Sequence, residues 1–144
     1  MSLNVTEEIT IDAPADAVWK VVGDFFGLSQ WLPTTTCEET DAVDGKKTRL
    51  ITMTVTGAKL VEALDEVNEE AKSIKFHVVE SPFPITNCNT EMKVHDLGDG
   101  KSKFTWASDC DPKPGTGDSV KPLLAQLYKG GNGALKAHME EASS

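Results

Sequence analysis

The chain has 144 residues, a length that suits one domain over residues 1–144. Its formal net charge is −9, which argues against a nucleic-acid-binding surface, because such a surface needs clustered Lys and Arg. No apolar stretch approaches the ~20 residues of a membrane span, and the opening MSLNVTEE lacks the basic and hydrophobic regions of a signal peptide. We therefore expect a cytoplasmic protein, monomeric or weakly dimeric, that spans no membrane.

The first two elements follow each other almost without a linker. Alternating apolar residues at Val5, Ile9 and Ile11 predict a strand that ends at Asp12. The segment Asp12-Ala13-Pro14 is typical of a helix start, and Gly23 is expected to end that helix. Its apolar face is Val18, Trp19, Val21 and Val22.

Residues 24–33 predict a short second helix that Pro33 ends. It carries Phe25, Phe26 and Trp31. Filling of the core is the better interpretation for Phe25, whereas Phe26 and Trp31 could equally line a cavity.

Period-two patterning then continues to residue 111, interrupted by turn sequences such as Asp44-Gly45 and Gly98-Asp99-Gly100. The pattern predicts six further strands, at about 34–41, 46–55, 58–67, 72–80, 87–96 and 101–110. Short turns between consecutive strands indicate an antiparallel meander of seven strands in all.

Helical spacing begins at about Asp118, after the loop 112–117, and predicts a long C-terminal helix. Gly130, Gly131 and Gly133 each weaken this helix by roughly 1 kcal/mol relative to alanine. Close approach to the sheet, a kink, or space beside a bound ligand would each explain them.

A strongly twisted sheet with one helix on its concave face leaves a cavity unless all inward side chains are large. The predicted inward residues are Ile74, Phe76, Val78, Cys88, Thr90, Met92, Val94, Phe104, Trp106, Ser108 and Cys110. Small polar groups among bulky apolar ones suit a pocket for an apolar molecule, and a fully packed core is the alternative. The loop 81–87, with Phe83 and Ile85, is either a lid over the mouth or packed on the sheet edge. Thr56–Ala58 and the segment Phe26–Trp31 would form the other rims.

The sequence shows no complete catalytic or metal-binding set. Cys37, Cys88 and Cys110 are expected to be reduced thiols, and metal-binding motifs are missing. His77 and His95 fall on outward positions, and His138 lies near the chain end. Tyr128 is the best candidate for a polar group inside the pocket, followed by Arg49 and Glu62, for which solvated placement is the alternative.

Three segments carry a resemblance to a known family: DAPADAVWKVVGDFFGLSQWLP, LVEALDEVNEEAKSIKFHVVESPFPITN and FTWASDCDP. They resemble the SRPBCC superfamily, also called START-like or Bet v 1-like, in particular its polyketide cyclase/dehydrase and lipid-transport branch. The resemblance implies an α+β helix-grip fold, in which a curved seven-stranded antiparallel sheet wraps around a long C-terminal helix and two short helices follow strand 1.

The plant abscisic-acid receptors are similar too. By position, their two gating loops resemble Thr56–Ala58 and Pro82–Ile85. Their carboxylate-anchoring lysine has no match, because Thr35 or Thr36 falls near that place, so hormone recognition is not carried over.

Three functions remain open: binding or transport of a hydrophobic small molecule without cofactor or metal, a cofactor-free cyclase or dehydratase, and a protein-interaction module with a filled core. The first predicts a ligand-free volume beside Trp106 and Tyr128, and the second adds a buried titratable group facing it. The predicted ligand-binding residues are Phe26, Trp31, Phe76, Val78, Phe83, Ile85, Cys88, Thr90, Trp106, Ser108, Leu124 and Tyr128.

Overall fold

The computed structural model describes residues 3–142. Its strands are β1 (Leu3–Ile11), β2 (Thr35–Val43), β3 (Lys46–Met53), β4 (Lys59–Asn68), β5 (Ser73–Glu80), β6 (Ile85–Gly98) and β7 (Lys101–Pro112). Its helices are α1 (Ala15–Val22), the 3-10 helix α2 (Phe25–Gln30) and the long helix α3 (Gly117–Ala142). The predicted element order is confirmed, and β6 begins two residues earlier than expected.

The strands form one antiparallel sheet in the order β1-β7-β6-β5-β4-β3-β2. β2 to β7 follow chain order as a meander, and β1 closes the far edge by pairing along its whole length with β7, from Leu3 opposite Cys110 to Ile11 opposite Ser102. The sheet is curved, and α3 packs mainly against β1 and β7. The α+β helix-grip fold is therefore confirmed.

The core lies between the concave face of the sheet and α3. Period-two alternation places Phe104, Trp106, Ser108 and Cys110 of β7 inward, all less than 9% exposed. On α3, residues at helical spacing are buried: Val120, Leu124, Tyr128, Leu135 and Met139. Because β1 is an edge strand and β7 pairs with it, α3 lies nearer to that edge of the sheet than to β3 to β5.

The expectation of three reduced thiols is wrong for two of them. Cys88 and Cys110 form a disulfide across β6 and β7, and Cys37 is the free cysteine. The residues are 22 positions apart in the chain, which is why spacing alone did not pair them. Antiparallel pairing, with an irregularity between Thr86 and Asn89, brings the two sulfurs together.

Candidate functional site

A cavity of ≈ 440 Å³ opens between the concave face of the sheet and α3. Its walls are formed by residues 28–35, by the inward positions of β3 to β7, by the β3–β4 hairpin and the loop 81–84, and by one face of α3. Its volume lies in the range of small-molecule sites. Apolar side chains dominate its wall, including Leu28, Leu32, Ile51, Met53, Leu60, Met92 and Leu127.

Most of the side chains expected at a ligand site line this cavity. They are Val78, Phe83, Ile85, Cys88, Thr90, Trp106, Leu124 and Tyr128. They meet because β5, β6 and β7 pair directly and α3 lies on the same face of the sheet, on the other side of the cavity. Whether a ligand contacts them stays a prediction.

The remaining predicted site residues do not line the cavity. Trp31 is 2% exposed and packs edge-on against Phe104 and Trp106, each at 6.1 Å between ring centroids. Phe26 lies edge-on to Phe25 at 5.2 Å. Trp31 therefore belongs to the core and the half-buried Phe26 packs against it, whereas Leu28 and Leu32 of the same segment line the cavity.

Phe76 and Ser108 are buried behind other groups. Phe76, 2% exposed, packs on Phe25 and on the guanidinium of Arg49. Ser108 is covered by its hydrogen-bond partners Thr90 and Tyr128. Both support side chains that do line the cavity.

Several wall residues were not predicted. Ile51 and Met53 share the inward face of β3 with Arg49, and Leu60 shares that of β4 with Glu62. The period-two pattern of these strands was the signal that could have identified them. It was ambiguous because a charged residue occupies the inward face of each strand.

Arg49 and Glu62 form a buried ion pair in the cavity wall. They are opposite each other across β3 and β4 and are 3% and 7% exposed. The Arg49 Nε and Nη2 atoms lie 2.9 and 2.7 Å from Glu62 Oε1. Solvated placement, the alternative left open for both residues, is wrong, because mutual neutralisation and hydrogen bonding permit burial of both charges.

Aromatic rings and a carbonyl hold the guanidinium in place. Its carbon lies 4.3 Å from the ring centroid of Phe25 and 4.6 Å from that of Phe76. Arg49 Nη1 also donates a hydrogen bond to the Phe25 carbonyl oxygen at 2.7 Å. The cation is thus fixed by contacts from three elements, α2, β4 and β5.

A second polar group of the wall is a hydrogen-bonded chain of hydroxyls. Thr90 Oγ1 lies 2.8 Å from Ser108 Oγ, which lies 2.5 Å from the Tyr128 hydroxyl. Burial, and next the charge of Glu62, raise the pKa of Tyr128 to about 12, although its hydrogen bond to Ser108 opposes the shift. The phenol is therefore a protonated hydrogen-bonding group at neutral pH.

Tyr128 and Trp106 stack at 4.4 Å between ring centroids with an interplanar angle of 12°. The stack fills one end of the space between β7 and α3, and the cavity continues beside it. Gly131 explains the close approach of the helix, because a Cβ there would lie 2.5 Å from Cζ3 of Trp106. Of the explanations for the helical glycines, close approach applies to Gly131, whereas added Cβ atoms at Gly130 and Gly133 would meet no atom within 4 Å.

The mouth lies between the β3–β4 hairpin and the loop 81–84. Phe83 is half-buried and lines the cavity, and its N–H donates to Ser81 Oγ at 3.0 Å. On the opposite rim, Thr56 and Val55 line the cavity, and Val55 is 86% exposed. Thr56 and Phe83, from two of the segments expected to form the rims, line the cavity, and from the third, residues 26–31, Leu28 does so.

None of the histidines lines the cavity. His77 Nδ1 lies 3.0 Å from the Asp65 carboxylate, close to Lys46 at the protein surface. Within residues 3–142, no group of three or more His, Cys, Asp or Glu side chains is arranged to hold a metal ion. No helix in the same range is both long and apolar enough to cross a membrane.

Comparison with known structures finds the same fold in many proteins. The protein XoxI from Bacillus cereus superposes with a TM-score of 0.87 at 21% identity, covering 98% of each chain. A START superfamily protein from Mycobacterium smegmatis gives 0.79 at 19% identity, covering 96% of this chain and 98% of its own. The Zhui aromatase/cyclase from a Streptomyces species gives 0.76 at 20% identity, covering 99% and 94%.

At these identities the structural similarity establishes the fold alone. No curated protein matches the sequence. The profile of one family, described as polyketide cyclase/dehydrase and lipid transport, matches residues 2–140. The chain therefore belongs to the polyketide cyclase/dehydrase and lipid transport family.

Proposed function

We propose that this protein is a single-domain carrier that binds a hydrophobic or amphipathic small molecule in the cavity between sheet and α3. The observation that carries the proposal is the ≈ 440 Å³ of space bordered mainly by apolar side chains. Burial of about 300 Å² of apolar ligand surface would contribute roughly 7 kcal/mol before ordering costs, which is enough for useful affinity without an ionic anchor.

The wall has an apolar part and, among its polar groups, an ion pair and a chain of hydroxyls. Leu28, Ile51, Leu60 and Met92 would contact the apolar body of a ligand. The Arg49–Glu62 pair and the Thr90–Ser108–Tyr128 chain would orient its polar group. The half-buried Phe83 would cover the ligand at the mouth.

Native mass spectrometry of freshly purified protein tests the proposal, with a co-purifying small molecule as the expected result. Leu127→Trp, in the wall, should reduce the bound fraction by filling part of the cavity, whereas Leu123→Trp, one turn earlier and 44% exposed outside the wall, should not. Equal loss of ligand in both variants, or full retention in both, would contradict the cavity as the binding site.

A cyclase or dehydratase is the second candidate, favoured by the buried ionisable groups in the wall. A phenol with a pKa of about 12 is a hydrogen-bond donor to a developing oxyanion rather than a base at neutral pH. A dehydratase would convert the bound molecule into a product lighter by one water. Chromatography with mass analysis of that molecule, after incubation with wild type and with Tyr128→Phe, separates the functions. Dehydration lowers the mass by one water, cyclisation alone changes the retention time at constant mass, and a carrier changes neither.

The third hypothesis, an interaction module with a filled core, is disfavoured by the open volume beside the Trp106–Tyr128 stack. Cytoplasmic location and a monomeric or weakly dimeric state remain predictions. Gel filtration coupled to light scattering tests the latter.

A further inference from the structure

The charge of the cavity wall is balanced within the wall itself. Arg49 and Glu62 are the charged members of the wall in the described part of the chain. Arg49 Nε donates a hydrogen bond to Glu62 Oε1 at 2.9 Å, and Nη2 lies 2.7 Å from the same oxygen. At 2.7 to 2.9 Å in a site of low exposure, the carboxylate cancels most of the field that Arg49 would present to a ligand.

Arg49 cannot readily leave this partner for another. Its guanidinium lies between the rings of Phe25 and Phe76, and Nη1 is bonded to the Phe25 carbonyl. A ligand carboxylate would therefore meet a cation whose position and pairing are already set. It would also meet the negative charge of Glu62.

The chain of hydroxyls in the wall offers no countercharge to an anionic ligand either. Thr90, Ser108 and Tyr128 are neutral, and the charge of Glu62 is felt at the Tyr128 phenol, where it contributes to the raised pKa. In contrast, hydroxyl or carbonyl groups match what the wall presents. The described residues donate no hydrogen bond to Glu62 Oε2, so that atom can accept one from a ligand hydroxyl.

We propose that Glu62 is a specificity-determining residue that makes the cavity select uncharged amphipathic ligands, with a hydroxyl or carbonyl as the polar group, over anionic ones. The inference rests on the proposed binding function and specifies its ligand class. Moving a carboxylate from water into this cavity loses its hydration without gaining an unpaired cation, whereas a neutral polar group is desolvated at much lower cost.

The probes are 1-decanol and decanoate, which share one alkyl chain and differ in the charge of the head group at pH 8. Dissociation constants are measured by tryptophan fluorescence, because Trp106, one of the three tryptophans, lies in the wall. Because an alcohol is more apolar than a carboxylate in any pocket, the readout is the ratio of the two constants compared among variants.

Glu62→Gln leaves Arg49 as an unpaired cation. The ratio of the two dissociation constants should then shift in favour of decanoate by at least about tenfold, which is the effect expected of one charge-assisted hydrogen bond. The double variant Arg49→Gln/Glu62→Gln removes both charges and should not show this gain. An unchanged ratio in folded Glu62→Gln protein would overturn the inference.

Leu60→Lys provides a second route if Glu62→Gln does not fold. Leu60 is half-buried in the wall, two residues from Glu62 on the same face of β4, and a lysine there adds a cation while the ion pair stays intact. Decanoate affinity should rise by about tenfold, and the uncharged control Leu60→Gln should show no such rise. Equal affinities in these two variants would also overturn the inference.

The wild-type protein separates this inference from the function on which it rests. Binding of neither probe, together with no co-purifying molecule, would reject the carrier proposal and the inference with it. Decanoate binding as tight as decanol binding would reject the selection of neutral ligands and leave the carrier proposal standing.

Discussion

Gly131 of α3 lies directly against the indole of Trp106 on β7, so close that an added Cβ would lie 2.5 Å from the ring atom Cζ3. The same indole stacks on Tyr128 one helical turn earlier, at 4.4 Å between centroids. This contact sets the distance between helix and sheet at one end of the interior. The cavity begins beside it, where the helix no longer approaches the sheet so closely.

Gly131→Ala should destabilise the protein by about 1 to 3 kcal/mol, because the new methyl group overlaps a rigid ring rather than a flexible chain end. Gly133→Ala is the matched control on the same helix, where a Cβ meets no atom within 4 Å. It should stabilise the protein by about 0.5 to 1 kcal/mol. Urea unfolding measures both, and equal effects would contradict the close approach.

Arg49→Met should cost about 3 to 5 kcal/mol of stability, because it leaves the Glu62 carboxylate buried without its cation. The double variant Arg49→Met/Glu62→Leu removes both charges and should recover most of that loss. Lys46→Met is the exposed control, since its 2.6 Å ion pair with Asp65 is 43% and 27% exposed, and it should cost less than about 1 kcal/mol. A double variant no more stable than Arg49→Met would refute a buried pair.

Tyr128 is the single tyrosine of the chain, so tyrosinate absorbance reports on it alone. Its folded pKa of about 12 lies above the ordinary value of 10.0, mainly because of burial. The stability linked to this difference is therefore fully present below pH 10 and is lost as pH rises toward about 12. The loss should be roughly 2 to 3 kcal/mol.

Absorbance titration of the folded protein and of its urea-unfolded form measures the two pKa values. The stability of Tyr128→Phe should lack this part of the alkaline decline, although both proteins share the titration of lysines. A folded pKa near 10 would show that the phenol is accessible to water.

The Cys88–Cys110 connectivity predicts the thiol chemistry of the purified protein. Alkylation in denaturant without reductant should modify Cys37 only, and prior reduction should add modification of the other two cysteines. Intact mass separates the states. Modification of all three cysteines without reductant would show that the disulfide is absent from the purified protein.

Local patterns predicted the architecture well because each element has its own chemical signal. Alternation along β7 placed Phe104 and Trp106 inward, as observed, and Gly23 ended α1, as expected from its position after an apolar face. Turn residues separated the strands of the meander. Such signals depend on neighbours in the chain, so a single sequence carries them.

The interior chemistry depended on contacts between distant residues. Alternation alone could not place Arg49 and Glu62, since burial of each charge is stable only when register sets them opposite each other. The same pairing of strands joined Cys88 to Cys110. The order of helices and strands thus followed from the sequence by itself. The tertiary structure alone decided which side chains meet in the cavity, because neutralisation of charge and packing of rings are properties of pairs of residues that the fold brings together.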